Sequence, residues 1–321
     1  MRIAITGEKG FIARNLTRVM VQKGHEFVSL LDCPHLPSKR GTGEPCVYKN
    51  GESEWYQSLH ENKIDVLIHN AAIVGTDVVA LNPADATLTN ILGCQIIART
   101  CKKLQIPVCY MGTTVIYNTP RYQQTVITED SQVRPHTYYG ILKLAGEQSI
   151  KEFSDEWMVI RPLFAYGGDG DMNSLIVKSL YSVANDRKNV DMFLNPRLVK
   201  DYLHVDDYCN AVMKCCEGGH WQRDFNVSAE TPFSVLKIVE MMSQVTGDDI
   251  LARLNWHTDT DYLGNHRLSS SKVRTCTDWS PNIDLRLGIE TIWKNIKDLQ
   301  HNPLQHLDEA RQKGVDLLSH F

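Results

Sequence analysis

The chain has no apolar run approaching the ~18 residues that a bilayer-spanning helix needs, so a membrane protein is not expected. It has no excess of one charge: 34 Lys and Arg against 38 Asp and Glu give a formal net charge of −4. Nothing in that balance favours nucleic acid or an anionic membrane as partner. No pair of cysteines has the Cys-x-x-Cys spacing of a zinc site, and no metal is expected. The cysteines are odd in number (Cys33, Cys46, Cys94, Cys101, Cys109, Cys209, Cys215, Cys216 and Cys276), and no secretory leader precedes Gly7. Reduced thiols in a cytoplasmic protein are the expectation. Cys94, Cys101 and Cys109 lie in apolar segments and read as small hydrophobes. Internal repeats and low-complexity tracts are also missing. With 42% hydrophobic and 22% charged residues, disorder is not expected.

What is present is a rhythm. A length of 321 residues can bury a large core, as one α/β unit or two joined lobes. Residues 2–6, 27–31, 65–69, 106–111 and 157–161 read as buried strands. Helical patterns at 11–22, 52–62, 84–105 and 137–153 alternate with them. That alternation predicts a parallel, doubly wound sheet of Rossmann type. After Arg161 the rhythm breaks at Gly167–Asp171, and helices at 173–186, 206–217, 233–246 and 284–299 predict a smaller lobe. Residues 1–164, with a return segment at about 201–228, are expected to bind a dinucleotide. Residues 165–200 and 229–321 are expected to bind substrate, and the last 20 read as a surface helix.

Between the first strand and helix stand Gly7, Gly10 and Ala13. The first glycine permits a tight turn, the second lets backbone approach a pyrophosphate, and the small third residue lets helix pack on strand. The helix N-terminus, at Phe11 and Ile12, adds amide donors. Glycine also punctuates ordinary strand-helix turns, so the motif needs its context. Asp32, about 20 residues on, suits an adenosine ribose and repels a 2′-phosphate, which favours NAD. Lys39 or Arg40 could instead meet that phosphate, so NADP stays open.

Tyr139 and Lys143 are spaced to share one helical face. A nearby ammonium and an oxidised nicotinamide would both favour the phenolate, which would make Tyr139 a general base. Tyr138 has Leu at position 142 and reads as a packing residue. Thr113 and Thr114 follow a strand's carboxyl end, where open α/β sheets bind ligands.

With these features in order, the chain resembles the extended short-chain dehydrogenase/reductase family, and more narrowly its NAD-dependent epimerase/dehydratase group acting on nucleotide sugars. The resemblance includes Asp65-Val-Leu-Ile-His-Asn-Ala-Ala72, Pro83 with Asn90, Arg161-Pro-Leu-Phe-Ala-Tyr-Gly167, Lys200-Asp-Tyr-Leu-His-Val-Asp-Asp207, Phe225-Asn-Val-Ser228, Ser271-Lys272 and Trp279-Ser-Pro281. It implies catalysis by Thr113, Tyr139 and Lys143. It implies cofactor contacts from Gly7, Gly10, Phe11, Ile12, Asp32, Ala71, Ala72, Asn90, Tyr139 and Lys143. It implies substrate contacts from Thr114, Phe164, Asn173, Ser174, Lys200 and Arg267. It also implies a homodimer through the helices at 84–105 and 137–153.

The departures bear on chemistry. Where dehydratases of this family carry Asp-Glu, this chain has Thr114-Val115, so loss of water is not expected. Phe164 replaces the usual asparagine, Lys200 the usual arginine and Ser269 the usual aspartate. Lysine meets phosphate as a point charge rather than a fork. Asn50 lies near a family adenine-binding position. The expected activity is epimerisation of a nucleotide sugar with NAD. The alternatives are net reduction or oxidation of a sugar by the same residues, and a non-catalytic dinucleotide sensor.

Overall fold

The computed structural model describes residues 1–30, 51–117, 126–167, 174–192, 194–257 and 267–301. Its centre is a six-stranded parallel sheet: β1 (Arg2–Thr6), β2 (Glu26–Val28), β3 (Val66–His69), β4 (Val108–Met111), β5 (Trp157–Pro162) and β6 (Arg223–Val227). The order across the sheet is β6-β5-β4-β3-β1-β2. The chain runs from β1 outward to β2, then returns to the other side of β1 for β3. That reversal opens a crevice at the strands' carboxyl ends, where such sheets take ligands.

Both faces of the sheet are covered. Ile3, Ile5, Val66, Ile68, Cys109, Met111 and Phe225 point to one core, which α1 (Phe11–Gln22) and α8 (Val205–Glu217) close. Ala4, Leu67, Val108, Tyr110 and Val159 point to the other, against Trp55 and Leu59 of α2 (Glu52–Glu61) and Ile97 and Cys101 of α5 (Gly93–Leu104). Alternate residues of one strand thus serve opposite layers, so the strands read as nearly continuous apolar runs. A separate core joins α7 (Leu175–Ala184), α9 (Val235–Thr246) and α11 (Leu285–His301) through Ile176, Leu180, Ile238, Met242, Ile289 and Ile292.

Three local readings need correction. The second strand is Glu26–Val28, not 27–31, because the carboxylate of Glu8 takes the Leu30 N–H that a longer ladder would have used. A short helix, α3 (Thr76–Leu81), stands where none was expected. The helix expected at 84–105 is α4 (Pro83–Thr87) running into α5 through a π turn at Leu88–Leu92. A π turn fits one extra residue into a helix and often marks a functional position. The one here contains Asn90. The expected terminal surface helix lies outside the described residues. Among the described residues no helix is long and apolar enough to cross a membrane, and no group of His, Cys, Asp and Glu is arranged to hold a metal. The described cysteines are all free thiols.

Candidate active site

The first wall of the crevice is the turn after β1. Gly7 has φ +68°, a conformation that side chains rarely adopt. A Cβ there would sit 2.8 Å from Ala71 Cα, so the turn lies directly on the loop after β3. Gly10 N–H closes the turn onto Gly7 O at 3.0 Å, and Asn70 Nδ2 donates to the same oxygen at 3.2 Å. Gly10 is extended and makes no side-chain cap, so the first amides of α1 near Phe11 and Ile12 carry no capping side chain. Among the described residues this is a backbone cradle with free approach, and it fits a pyrophosphate. Ala71 and Ala72 form its floor and are partly buried.

Beneath the cradle runs a polar chain. Thr6 Oγ1 accepts from Asn70 N at 3.2 Å and Ala71 N at 3.0 Å. Its own proton therefore goes to His69 Nδ1, 2.7 Å away. That assigns the proton of the neutral imidazole to Nε2, which faces Cys94 Sγ at 3.4 Å. Burial first, and the Lys143 charge second, hold His69 down to about 3, so it stays neutral. Cys94 donates on to Asn90 O at 3.1 Å. Cys94 is buried as expected, but it is also a polar link.

Asn90 is reached from the π turn. Its side chain clamps one residue twice, accepting from Ile73 N at 2.9 Å and donating to Ile73 O at 3.0 Å. It thus fixes the loop that carries Ala71 and Ala72.

The second wall comes from β4 and α6 (Tyr138–Phe153). Thr137 caps α6 by accepting from Gly140 N at 3.1 Å, which sets the helix register. That register turns Tyr139 and Lys143 inward together. The Thr113 side chain lies close enough to the Tyr139 phenol to lower its pKa in part. Thr113 accepts from Val115 N at 3.3 Å, holding the hydroxyl at the mouth of β4. Lys143 is buried, donates to Met111 O at 2.7 Å and lies 4.1 Å from the Tyr110 ring centre.

Burial acts on both groups of this pair. Burial raises the Tyr139 phenol to about 12, with only partial relief from the Thr113 side chain. Lys143 gives its ammonium to Met111 O rather than to the phenol. Burial also lowers Lys143 to about 8, offset in part by Cys94 and Glu147. Burial thus favours the neutral phenol, and a positive charge beside it, such as the oxidised nicotinamide expected from the sequence, would favour the phenolate. Tyr138 is not a core packing residue either. It is exposed, and its hydroxyl lies 2.7 Å from Thr87 Oγ1.

Sequence reasoning missed the anchor behind this helix. Arg161 and Glu147 are both about 2% exposed and paired through two bonds, Nε to Oε2 at 3.0 Å and Nη2 to Oε1 at 2.6 Å. Arg161 also donates to Tyr117 Oη at 2.7 Å and to Asp224 at 2.7 Å. Glu147 follows Lys143 by four residues, so the spacing that linked Tyr139 to Lys143 could have flagged it.

The substrate side is less regular. Thr114 is buried and donates to Pro162 O at 3.4 Å. Phe164 has φ +35°, a strained value that the usual asparagine tolerates better. Its ring lies 5.6 Å from that of Tyr202 and 5.1 Å from Lys200 Nζ, so the structure does bring Phe164 and Lys200 together. Ser174 sits at the N-cap of α7, and its buried Oγ has no hydrogen-bond partner among the described residues. Arg267 stands on a two-residue strand paired with Val126–Ile127, beside the cluster of Ile116, Tyr117 and Leu163. Asp32, Lys39, Arg40, Asn50 and Asn173 lie outside the described residues.

The sequence profile of the NAD dependent epimerase/dehydratase family matches residues 3–228. The chain is 25% identical over 333 residues to a UDP-glucose 4-epimerase of Halalkalibacterium halodurans, covering 94% of this chain and 97% of that one. Its fold is similar to a UDP-glucose 4-epimerase of Thermotoga maritima solved with UDP-glucose. The TM-score is 0.80 at 19% identity, covering 94% of this chain and 100% of that one. It is also similar to a UDP-glucuronic acid 4-epimerase of Bacillus cereus solved with UDP-glucuronic acid and NAD, at TM-score 0.77 and 21% identity, covering 93% and 100%.

Proposed function

The chain belongs to the NAD dependent epimerase/dehydratase family, and we propose that it is an NAD-dependent epimerase of a nucleotide sugar with Tyr139 as acid/base. The observation that carries this reading is that Lys143, on the helical face it shares with Tyr139, is buried and anchored to Met111 O at the end of β4, beside Thr113, while the Gly7–Gly10 turn follows β1 of the same parallel sheet. Thr113 and Tyr139 together offer a sugar hydroxyl one donor and one acceptor. Tyr139 receives the hydroxyl proton and returns it, while Thr113 fixes the oxygen during the exchange. Lys143, anchored to Met111 O, holds the cofactor's ribose side of the pocket. NAD, when bound, would supply a hydride acceptor for the carbinol carbon and a positive ring that favours the phenolate.

The unpartnered Ser174 hydroxyl at the start of α7, with the buried charge of Lys200, supports a diphosphate in the substrate. At the place of the dehydratase acid pair, Thr114 bonds a backbone carbonyl and Val115 cannot donate a proton. The reaction should conserve water. A panel of UDP-, GDP-, CDP- and dTDP-sugars is expected to give an isomer of unchanged mass. A product lighter by the mass of water would reject the reading. A product differing by two hydrogens, with reduced or oxidised nicotinamide in equal amount, would establish net redox chemistry by the same residues instead. The ring of Phe164 over Lys200 makes that second reading worth the assay, because it replaces a polar substrate contact with an apolar one.

A homodimer is part of this proposal. Leu88 and Leu92 of the π turn, and Tyr138 and Ile141 of α6, are each 39–48% exposed on neighbouring helices. A second copy would cover that apolar stripe. Light scattering at micromolar concentration is expected to give twice the 36.5 kDa chain mass. A mass equal to one chain would exclude the dimer.

A further inference from the structure

Four polar residues follow one another along one face of α6: Tyr139, Lys143, Glu147 and Lys151, each a helical turn from the next. Glu147 lies between the two ammonium groups and is 1% exposed. Lys151 donates to its Oε1 at 2.8 Å from the outer side. Arg161 fastens it from β5 through Nε and Nη2. Asp224 accepts from the same guanidinium at 2.7 Å, so Glu147 does not have Arg161 to itself.

Lys143 has need of such a neighbour. Its ammonium is buried, and burial works against the charge. Met111 O at 2.7 Å and the Tyr110 ring at 4.1 Å bring only partial charges to it. The titratable groups around it come from four elements. His69 on β3 is held down to about 3, by burial first and by Lys143 second. Tyr110 on β4 is pushed well above the usual phenol range by burial. Burial raises Cys94 on α5 to about 11 and Tyr139 on α6 to about 12. All four are therefore neutral while Lys143, at about 8, titrates. Glu147 is not neutral, because it is paired with a guanidinium that stays charged. It supplies a full negative charge one turn from the ammonium.

We propose that Glu147, fastened by Arg161, is a positioning residue of the active site, which keeps the Lys143 ammonium charged and so sets the alkaline limit of cofactor binding. The proposal rests on the reading above, in which Lys143 holds the cofactor's ribose side. The direction follows from the charge. Lys143 is an ammonium at low pH and a neutral amine at high pH, so affinity is lost as pH rises. Removing the carboxylate brings that loss to lower pH.

NADH binding by the full chain, followed by nicotinamide fluorescence across a pH series, tests it. Wild-type affinity is expected to fall as pH rises through about 8. Glu147→Gln should move that fall ~1 pH unit toward acid. Glu147→Asp, which keeps the charge, should restore most of the difference. Should Glu147→Gln not fold, the double variant Glu147→Gln/Arg161→Gln takes its place, because it removes both buried charges together. Its fall should move in the same direction. A fall at the wild-type pH in the variant tested would overturn the proposal. So would an affinity reduced equally at every pH with a lowered Tm, which is loss of packing alone. A wild type whose NADH affinity does not change with pH, or which binds no NADH, would instead overturn the reading of Lys143 on which the proposal stands.

Discussion

Tyr139→Phe is expected to lower kcat by ~10²–10⁴ while leaving NADH affinity within a factor of about three, because the lost group moves a proton and does not anchor the cofactor. In barrier height that loss is about 3–5 kcal/mol. Tyr138→Phe is the matched control. Its hydroxyl sits at an exposed hydrogen bond to Thr87, so its loss should change kcat less than about threefold. The pair separates register from composition, since the two tyrosines are adjacent and chemically identical. Steady-state kinetics on the active sugar nucleotide makes the measurement. An active Tyr139→Phe beside an inactive Tyr138→Phe would mean that α6 presents the other face to the crevice. Thr137 argues against that, because its cap on Gly140 N fixes the first turn.

Gly146→Ala is expected to be the most damaging small change in the fold. A Cβ there would lie 2.3 Å from Asn90 O, 2.9 Å from Cys94 Sγ and 2.9 Å from Tyr110 Oη. The nearest of these is backbone of the π turn and cannot swing aside. Either α6 moves off the π turn, or the turn gives up the register that points Asn90 at Ile73. Overpacking of this kind costs about 3 kcal/mol, which for a chain of this size lowers Tm by roughly 6–12 °C. Thermal unfolding by circular dichroism reads the first effect. NADH titration reads the second, because the Ala71–Ala72 floor depends on the Asn90 clamp. A Tm within ~1 °C of wild type would show that the two helices do not approach this closely.

Both results depend on a layered arrangement around Lys143. Tyr139 and Glu147 flank it at one helical turn on either side, and Arg161 holds Glu147 from β5. The helix is therefore fastened at its buried end by an ion pair and at its start by a threonine cap. The reactive groups lie between two fixed points.

The sequence by itself determined the alternation of strands and helices, the turn at Gly7 and Gly10, and the shared face of Tyr139 and Lys143. These follow from local periodicity: a two-residue repeat for strands, 3.6 residues for helices, and the conformational freedom that only glycine has. The neighbourhood of Thr113 was also legible, because a parallel sheet gathers its strand ends on one edge. Only the tertiary structure decided what depends on distance through space. Glu8 meets Ser29 and Leu30 from the turn after β1, Asn90 reaches Ile73 because a π turn shifts its register, and Arg161 finds Glu147 between strand and helix. The protonation of Tyr139 belongs to the same class. Spacing placed an ammonium near the phenol, but burial of the phenol and the capture of that ammonium by Met111 O outweigh the attraction. Desolvation is a property of everything packed around a group, and no spacing along the chain encodes it.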